Sequence, residues 1–322
     1  MLTVGSFFAG VGGIDLGFKQ TGQFKIVYAN EFDPYPALTY NANFTLKTDL
    51  KDVHEVKGQT IPNFDVMIGG FPCQAFSIAG LRQGFNDKQG RGTLFFELVR
   101  ILKEKQKQRA LPKIVFFENV KNLVQHDHGN TFKVILGYLH ELGYQVKYQV
   151  LNACRYGNVP QNRERIYIVG FQDPALAQKF TFPKPIPLTH SLNEYIDFKG
   201  QVDQKYYYTD ANFNYYPALE QAVTSQNTVY QWRRTYVRAN KSGVCPTLTA
   251  AMGMGGHNVP LIKADHGIRK LTPRECFNLQ GFPKDFILPN KLSNTRLYKQ
   301  AGNSVTVPVI KRIAVNIAST VS

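Results

Sequence analysis

A chain of 322 residues with 43% hydrophobic and 19% charged side chains has room for one large core or two unequal ones, and it excludes wholesale disorder. Thirty-eight Lys and Arg against 23 Asp and Glu leave a net charge of +15, which favours a polyanionic partner, nucleic acid first, because many weak phosphate contacts sum to useful affinity. The cysteines at 73, 154, 245 and 276 form no Cys-x-x-Cys pair and no cluster with histidine at zinc spacing, which argues against a structural metal and for a reducing compartment.

The N-terminus begins directly with strand and turn signals, without the basic head and apolar stretch of a signal peptide, and no run reaches the ~18 apolar residues that span a bilayer. A cytoplasmic protein without membrane contact is expected. Residues 2–8 are β-prone and end in Phe8-Ala9-Gly10-Val11-Gly12-Gly13, after which Ile14, Leu16, Gly17 and Phe18 predict a helix. Strand, glycine turn and helix in that order place backbone N–H groups around an incoming ligand. Gly10 and Gly12 fit the dinucleotide fingerprint, but its third position holds Asp15. That departure leaves a nucleoside-type ligand and a plain tight turn both open.

A second strand, residues 25–29, ends at Asn30-Glu31, where a nucleotide-binding α/β unit puts a carboxylate for ribose hydroxyls. Asp33-Pro34 starts a helix, and Thr48-Asp49 closes a third short strand. The apolar run at 65–68 then delivers Gly69-Gly70-Phe71-Pro72-Cys73-Gln74, a lone thiol at a strand end, which suits either a nucleophile whose proton can be removed or a small buried hydrophobe. Residues 77–91 are polar and glycine-rich, and 93–105 reads as an amphipathic helix. A fifth strand, 113–117, leads into Glu118-Asn119-Val120. By the rule that ligands bind at the carboxyl ends of strands in open α/β sheets, Glu118 belongs beside Phe8, Glu31 and Cys73. Two further strands, 144–151 and 165–170, flank Pro160-Gln161-Asn162-Arg163-Glu164-Arg165, whose arginines at i and i+2 suit either a phosphate or carbonyl clamp or a charged hairpin edge.

From Pro183 the strand and helix alternation is lost. The next eighty or so residues are rich in tyrosine, and Gln231-Trp232-Arg233-Arg234-Thr235-Tyr236-Val237-Arg238 is basic with interleaved aromatics and no acid. Arginines there suit phosphates and guanine edges, and aromatics suit an exposed base. His257, in the glycine-rich stretch that follows, reads as structural. Thr272-Pro273-Arg274-Glu275 is a helix start, and residues 309–317 form an apolar last helix that is expected to pack on the main sheet.

The order of these blocks resembles the DNA (cytosine-5)-methyltransferase family over nearly the whole chain. The blocks are Phe8 to Gly13, Glu31, Gly70 to Gln74, Glu118-Asn119-Val120, Gln161 to Arg165, Arg269 to Glu275 and Gly302-Asn303-Ser304-Val305. The compact length is similar to that of bacterial restriction-modification enzymes. The resemblance implies an α/β, Rossmann-like S-adenosylmethionine-dependent sheet with a smaller, irregular target-recognition domain inserted before the C-terminal helix. It implies a catalytic domain at 1–185 completed by 296–322, recognition at 186–269 and a hinge at 270–295. It assigns catalysis to Cys73, Glu118, Arg163 and Arg165, and S-adenosylmethionine to Phe8, Gly10, Gly12, Glu31, Asp49, Pro72, Leu94, Asn303 and Val305. Double-stranded DNA falls to Gln74, Ser77, Arg91, Gln231, Arg233, Arg234, Tyr236, Arg238 and Thr247. The implied enzyme is a monomer, with a restriction endonuclease sharing its site without stable binding. Two rivals share the blocks in part: a relative acting on tRNA, and a regulatory relative with a dead site.

Overall fold

The computed structural model describes residues 1–71, 94–240, 242–255 and 257–321; Pro72, Cys73, Gln74, Ser77 and Arg91 lie outside the described residues. Two compact units divide the chain. Unit 1 holds Met1–Leu151, Glu164–Lys184 and Val309–Ser322, and unit 2 holds Asn152–Arg163 and Pro185–Pro308. Residues 152–163 and 296–308, read from sequence with the catalytic domain, thus cluster with unit 2. The segment at 160–162 pairs there, with Cys245 N–H donating to Pro160 O and Cys245 and Pro246 lying opposite Gln161 and Asn162.

In chain order the first elements are β1 (Leu2–Phe7), α1 (Gly13–Lys19), β2 (Phe24–Glu31), α2 (Pro34–Asn43), β3 (Asp49–Leu50), β4 (Val66–Gly69), α3 (Leu94–Lys107), β5 (Ile114–Val120), α4 (Asn130–Glu141), β6 (Gln145–Asn152), α5 (Ala153–Tyr156), β7 (Gln161–Asn162), β8 (Glu164–Phe171) and α6 (Pro174–Lys179). Seven strands of these form one sheet in the order β3-β2-β1-β4-β5-β8-β6. The chain runs outward from β1 to β3 on one side and resumes with β4 on the other, so the topological switch lies between β1 and β4. Ligands of open α/β sheets bind at that point, outside the carboxyl ends of the strands. β1 to β5 pair in parallel, while β8 runs antiparallel to β5 with Arg165 opposite Val120. The reversal brings the start of β8 to the carboxyl end of β5.

The central strands are apolar on both faces, as strands buried on both sides must be. Phe7, Met67, Val115, Phe117 and Ile168 pack with Phe95, Leu98 and Leu102 of α3 and with Ile135 and Leu139 of α4. The i, i+3, i+7 spacing on α3 leaves Arg100, Lys103 and Lys107 off that side, while Lys105 is buried with it and donates to Ile61 O (2.8 Å) and Asn63 Oδ1 (2.9 Å). α2 starts where Asp33 accepts the Tyr35 N–H (3.0 Å) ahead of Pro34.

The region without alternation in sequence carries α7 (Tyr216–Ala222), β9 (Val229–Arg233), β10 (Tyr236–Asn240), β11 (Cys245–Pro246), β12 (Leu261–Ala264), β13 (Gly267–Lys270), α8 (Pro273–Asn278) and α9 (Asn294–Asn303). Its main sheet is β10-β9-β12-β13, entirely antiparallel, with a core of Tyr208, Phe213, Leu219, Tyr230, Trp232 and Leu261. The last helix, α10 (Val307–Val321), lies in unit 1 from Val309 onward. A Cβ on Gly17 of α1 would stand 2.6 Å from Ile310, so glycine there is what lets the two helices touch. By length and mean hydropathy, Asn294–Val321 could cross a membrane, contrary to the expectation from apolar runs alone. It breaks at residues 304–306, and Ile310, Ile313, Ala314 and Ile317 are fully buried, which is the signature of a core helix.

Candidate active site

Within unit 1, four strand ends carry candidate residues. After β1 the chain turns through Phe8, Gly10 and Gly12, all at positive φ (54°, 57° and 83°), the last of them capping α1. A β-carbon on Gly10 would meet nothing nearer than Phe8 O at 4.0 Å, whereas one on Gly12 would strike Phe44 at 2.4 Å. Gly10 is therefore open toward a ligand, and Gly12 is required by packing.

Glu31, at the end of β2, pins this turn. Its Oε2 accepts the Gly10 N–H (2.8 Å), its Oε1 accepts the Asp33 N–H (2.9 Å), and burial raises its carboxyl above the ordinary value. The next residue, Phe32, is 65% exposed, a large aromatic face left uncovered beside a buried carboxylate. Asp49 on β3 accepts from Tyr28 Oη (3.0 Å), and Asn30 Nδ2 donates to the carbonyls of Asp49 and Lys51. Leu94, at the start of α3, is partly buried against the core.

Beneath the turn lies a residue that sequence reading treated only as a misfit. Asp15 is fully buried; Ser6 Oγ donates to its Oδ2 (2.9 Å) and Tyr40 Oη to its Oδ1 (3.0 Å). Desolvation raises its carboxyl to about 6 against these two hydroxyl donors. Asp15 thus ties β1, α1 and α2 together under the loop.

Glu118 and Arg165 meet at the end of β5. The antiparallel register places Tyr167 opposite Glu118 and Arg165 opposite Val120, so both charged side chains share one face. Arg165 Nε stands 3.2 Å from Glu118 Oε1, and both side chains are largely buried. A Cβ on Gly70 would come within 3.4 Å of Glu118 Oε2, so the glycine leaves room for the carboxylate. Asn119 Nδ2 donates to Phe71 O (3.1 Å), tying the exit of β5 to the last described residue before Pro72 and Cys73.

Unit 2 holds the remaining candidates. Arg163 is buried there and donates to Leu248 O (2.8 Å), Gly302 O (3.0 Å) and Ser304 O (2.5 Å). Its guanidinium clamps protein carbonyls, a job different from that of Arg165. Gln280 Nε2 holds Ala301 O (2.8 Å), and a Cβ on Gly302 would fall 2.2 Å from the Thr249 backbone. Exposed Asn303 and buried Val305 are carried on this braced segment.

A cleft of about 420 Å³ in unit 2 is lined by Gln231, Arg233, Arg238, Asn240, Thr247, Asn162 and Asn258, among others, and, among the described residues, by no acidic side chain. Arg234 (φ 53°) and exposed Tyr236 lie at the β9–β10 turn, outside that lining. His257 packs on Phe213 and Tyr208. The residues missed from sequence are Asp15, Phe32, Asn162, Asn240 and Asn258. Phe32 was accessible as an aromatic directly after the strand-end acid; the asparagines carry no signal until the fold brings them together.

Comparison with known proteins matches residues 2–319 to the family model of the C-5 cytosine-specific DNA methylases. The Type II methyltransferase M.Bsp6I of Bacillus sp. (strain RFL6) is 57% identical over 317 residues, 98% of each chain. M.SsoII of Shigella sonnei is 42% identical over 97% of this chain and 79% of its own, and M.HhaI of Haemophilus parahaemolyticus is 38% identical over 98% and 94%. Among solved structures, the Entamoeba histolytica methyltransferase EhMeth (TM-score 0.78, 16% identity, 100% and 99% coverage) and the S. pombe Dnmt2 methyltransferase (0.72, 15%, full coverage of both chains) share the fold. With the strand-end site and the match across 2–319 in agreement, the chain belongs to the C-5 cytosine-specific DNA methylase family.

Proposed function

We propose that this enzyme transfers a methyl group from S-adenosylmethionine to carbon 5 of a cytosine flipped out of double-stranded DNA. We further propose that it is the modification enzyme of a Type II restriction-modification system, working in the cytoplasm as a monomer. The observation that carries the reading is the Glu118–Arg165 pair at the exit of β5, with Glu118 beside Gly70, the glycine that leads into Phe71-Pro72-Cys73 in the chain.

The β1 and β2 ends suit the cofactor. Open Gly10 admits a ligand against the backbone, Phe32 offers a face for the adenine, Glu31 retains lone pairs for the ribose hydroxyls, and Asp49 can accept from the adenine amine. The family resemblance makes Asn303 and Val305 further candidates for the cofactor. S-adenosylmethionine supplies an electrophilic methyl group when bound.

Carbon 5 of cytosine is a poor nucleophile, and the target ring is inaccessible inside a duplex, so the base must leave the stack. The Cys73 thiolate adds to carbon 6. Glu118 hydrogen-bonds N3 and shares a proton there as charge spreads into the ring, while Arg165 holds that carboxyl in place. Carbon 5, now enamine-like, takes the methyl group as the methyl–sulfur bond of the donor breaks and a neutral thioether is left; a base then removes the carbon-5 proton, and the bond between carbon 6 and sulfur breaks to restore the aromatic ring and the free thiolate. Arg163 acts at one remove, fixing the backbone at 302–304.

An oligonucleotide duplex carrying 5-fluorocytosine at the target tests the covalent step, because fluorine cannot leave as the proton does. In the presence of cofactor the wild type should form a denaturation-resistant adduct and Cys73→Ala none. An adduct of equal yield with the alanine variant removes Cys73 from the mechanism.

A further inference from the structure

The β9–β10 hairpin divides its side chains by strand period. Tyr230 and Trp232 on β9, with Val237 and Ala239 on β10, face the aromatic core of unit 2. Gln231, Arg233, Tyr236, Arg238 and Asn240 must then share the other face, since successive side chains in a strand alternate. The register sets Arg238 opposite Gln231 and Arg233 opposite Tyr236. Arg233 and Arg238 are therefore diagonal neighbours, separated by roughly 7–8 Å.

Both arginines line the cleft, both are exposed, and neither guanidinium has a hydrogen-bond or ion-pair partner among the described residues. Two cations held this close without a carboxylate in the lining need an acceptor-rich partner. A concave, polar site with amide neighbours is built for something more directional than phosphate alone. The planar guanidinium fork matches the O6 and N7 acceptors of guanine, and Gln or Asn amides match adenine in the same groove. Arg234, beside them in sequence, is at the turn and outside the lining, where it can reach a phosphate but not the cleft.

We propose that Arg233 and Arg238 fix the sequence preference of this enzyme, each taking the major-groove edge of a guanine at a different base pair, with Arg234 on the phosphate backbone. The diagonal spacing is about twice the ~3.4 Å step along one strand, too wide for both forks to serve one base. This inference rests on the proposed action on double-stranded DNA.

The test uses the full-length wild type, R233Q, R238Q and R234Q on a pool of duplexes randomised around a fixed cytosine, with modified cytosines mapped by sequencing. Melting temperatures confirm that these exposed substitutions leave folding intact. R233Q and R238Q should each lose about tenfold to a hundredfold in rate on the preferred sequence, lose discrimination at one guanine position each, and gain relative activity with adenine there. R234Q should slow all sequences by a common factor and flatten the salt dependence of binding. If the wild type modifies a defined motif and both cleft variants slow every sequence equally, this inference falls and the functional reading stands. If the wild type modifies no cytosine in the pool, the functional reading falls and takes the inference with it.

Discussion

Asp15 is a carboxyl group with no solvent exposure and, among the described residues, no ion-pair partner. Two hydroxyls donate to it, yet desolvation still raises it from 3.8 to about 6. The folded state binds that proton more tightly than the unfolded chain does, so the stability it contributes is present at low pH and is lost as pH rises from about 4 through about 6. The shift corresponds to roughly 3 kcal/mol. Asp15→Asn removes the titration while keeping a side chain that both hydroxyls can bond. Its unfolding free energy should gain on that of the wild type by up to about that amount between pH 4 and pH 7. Parallel stability curves for the two proteins would show that the carboxyl does not titrate in this range.

Glu118 carries the other residue-scale prediction. Glu118→Gln preserves shape and removes the group that can share a proton with the base. Methyl transfer in a single turnover should fall by about 10² to 10⁴, with S-adenosylmethionine binding retained by calorimetry. A rate within a factor of three of wild type would move proton transfer elsewhere.

At the scale of elements, the two units differ in how much of them can be read from the chain. In unit 1 the strands β2, β4 and β5 are largely apolar runs that reach Glu31, Gly69 and Glu118, so these strand ends are visible without coordinates. Asp15 was not, because only the fold brings Ser6 and Tyr40 to it. Unit 2 resists reading for a physical reason: its strands are two to five residues long, and its main sheet buries tyrosine and tryptophan, whose polar tips blur the alternation. The i and i+2 arginines at 163 and 165 suggested a common target by strand period. The chain leaves β7 at Asn162 and enters β8 at Glu164, and the two guanidiniums take separate partners.

The junction of β13 and α8 shows how unit 2 is held. Thr272 and Glu275 form a reciprocal capping box, and the same carboxylate receives both ends of the Arg269 fork at 2.7 and 2.8 Å. Arg269 is fully buried and also donates to Asp197 O. Removing the acid leaves a buried cation without its counter-charge, which costs about 3–5 kcal/mol, whereas replacing both partners by apolar residues costs far less. Trp232, the chain's one tryptophan, is buried in unit 2 and reports on it selectively. Urea titrations followed by its fluorescence should show Glu275→Ala strongly destabilised and Arg269→Met/Glu275→Leu closer to wild type. Equal losses in the two proteins would mean that shape, not charge, holds this junction.

For the whole molecule the governing quantity is the net charge of +15. Part of the basic excess is locally neutralised: Arg100 pairs with Glu97 and Glu104, Lys113 with Asp65, and Lys121 with Glu164. Among the described residues, Arg233 and Arg238 have no such partner and the cleft they line holds no acid. A duplex seated there would release counterions in proportion to the phosphates contacted, so affinity should fall linearly on a log–log plot against salt. With about six phosphates engaged, the slope is near −5, and raising salt from 50 to 200 mM weakens binding by about 10³. The proposed cofactor pocket at Gly10, Glu31 and Phe32 would draw on backbone and aromatic contacts that salt hardly screens, so S-adenosylmethionine affinity should change little over that range. Fluorescence anisotropy with a labelled duplex and calorimetry with the cofactor measure the two separately. A DNA slope shallower than about −2 would mean that the basic excess serves solubility and that recognition depends on few phosphates.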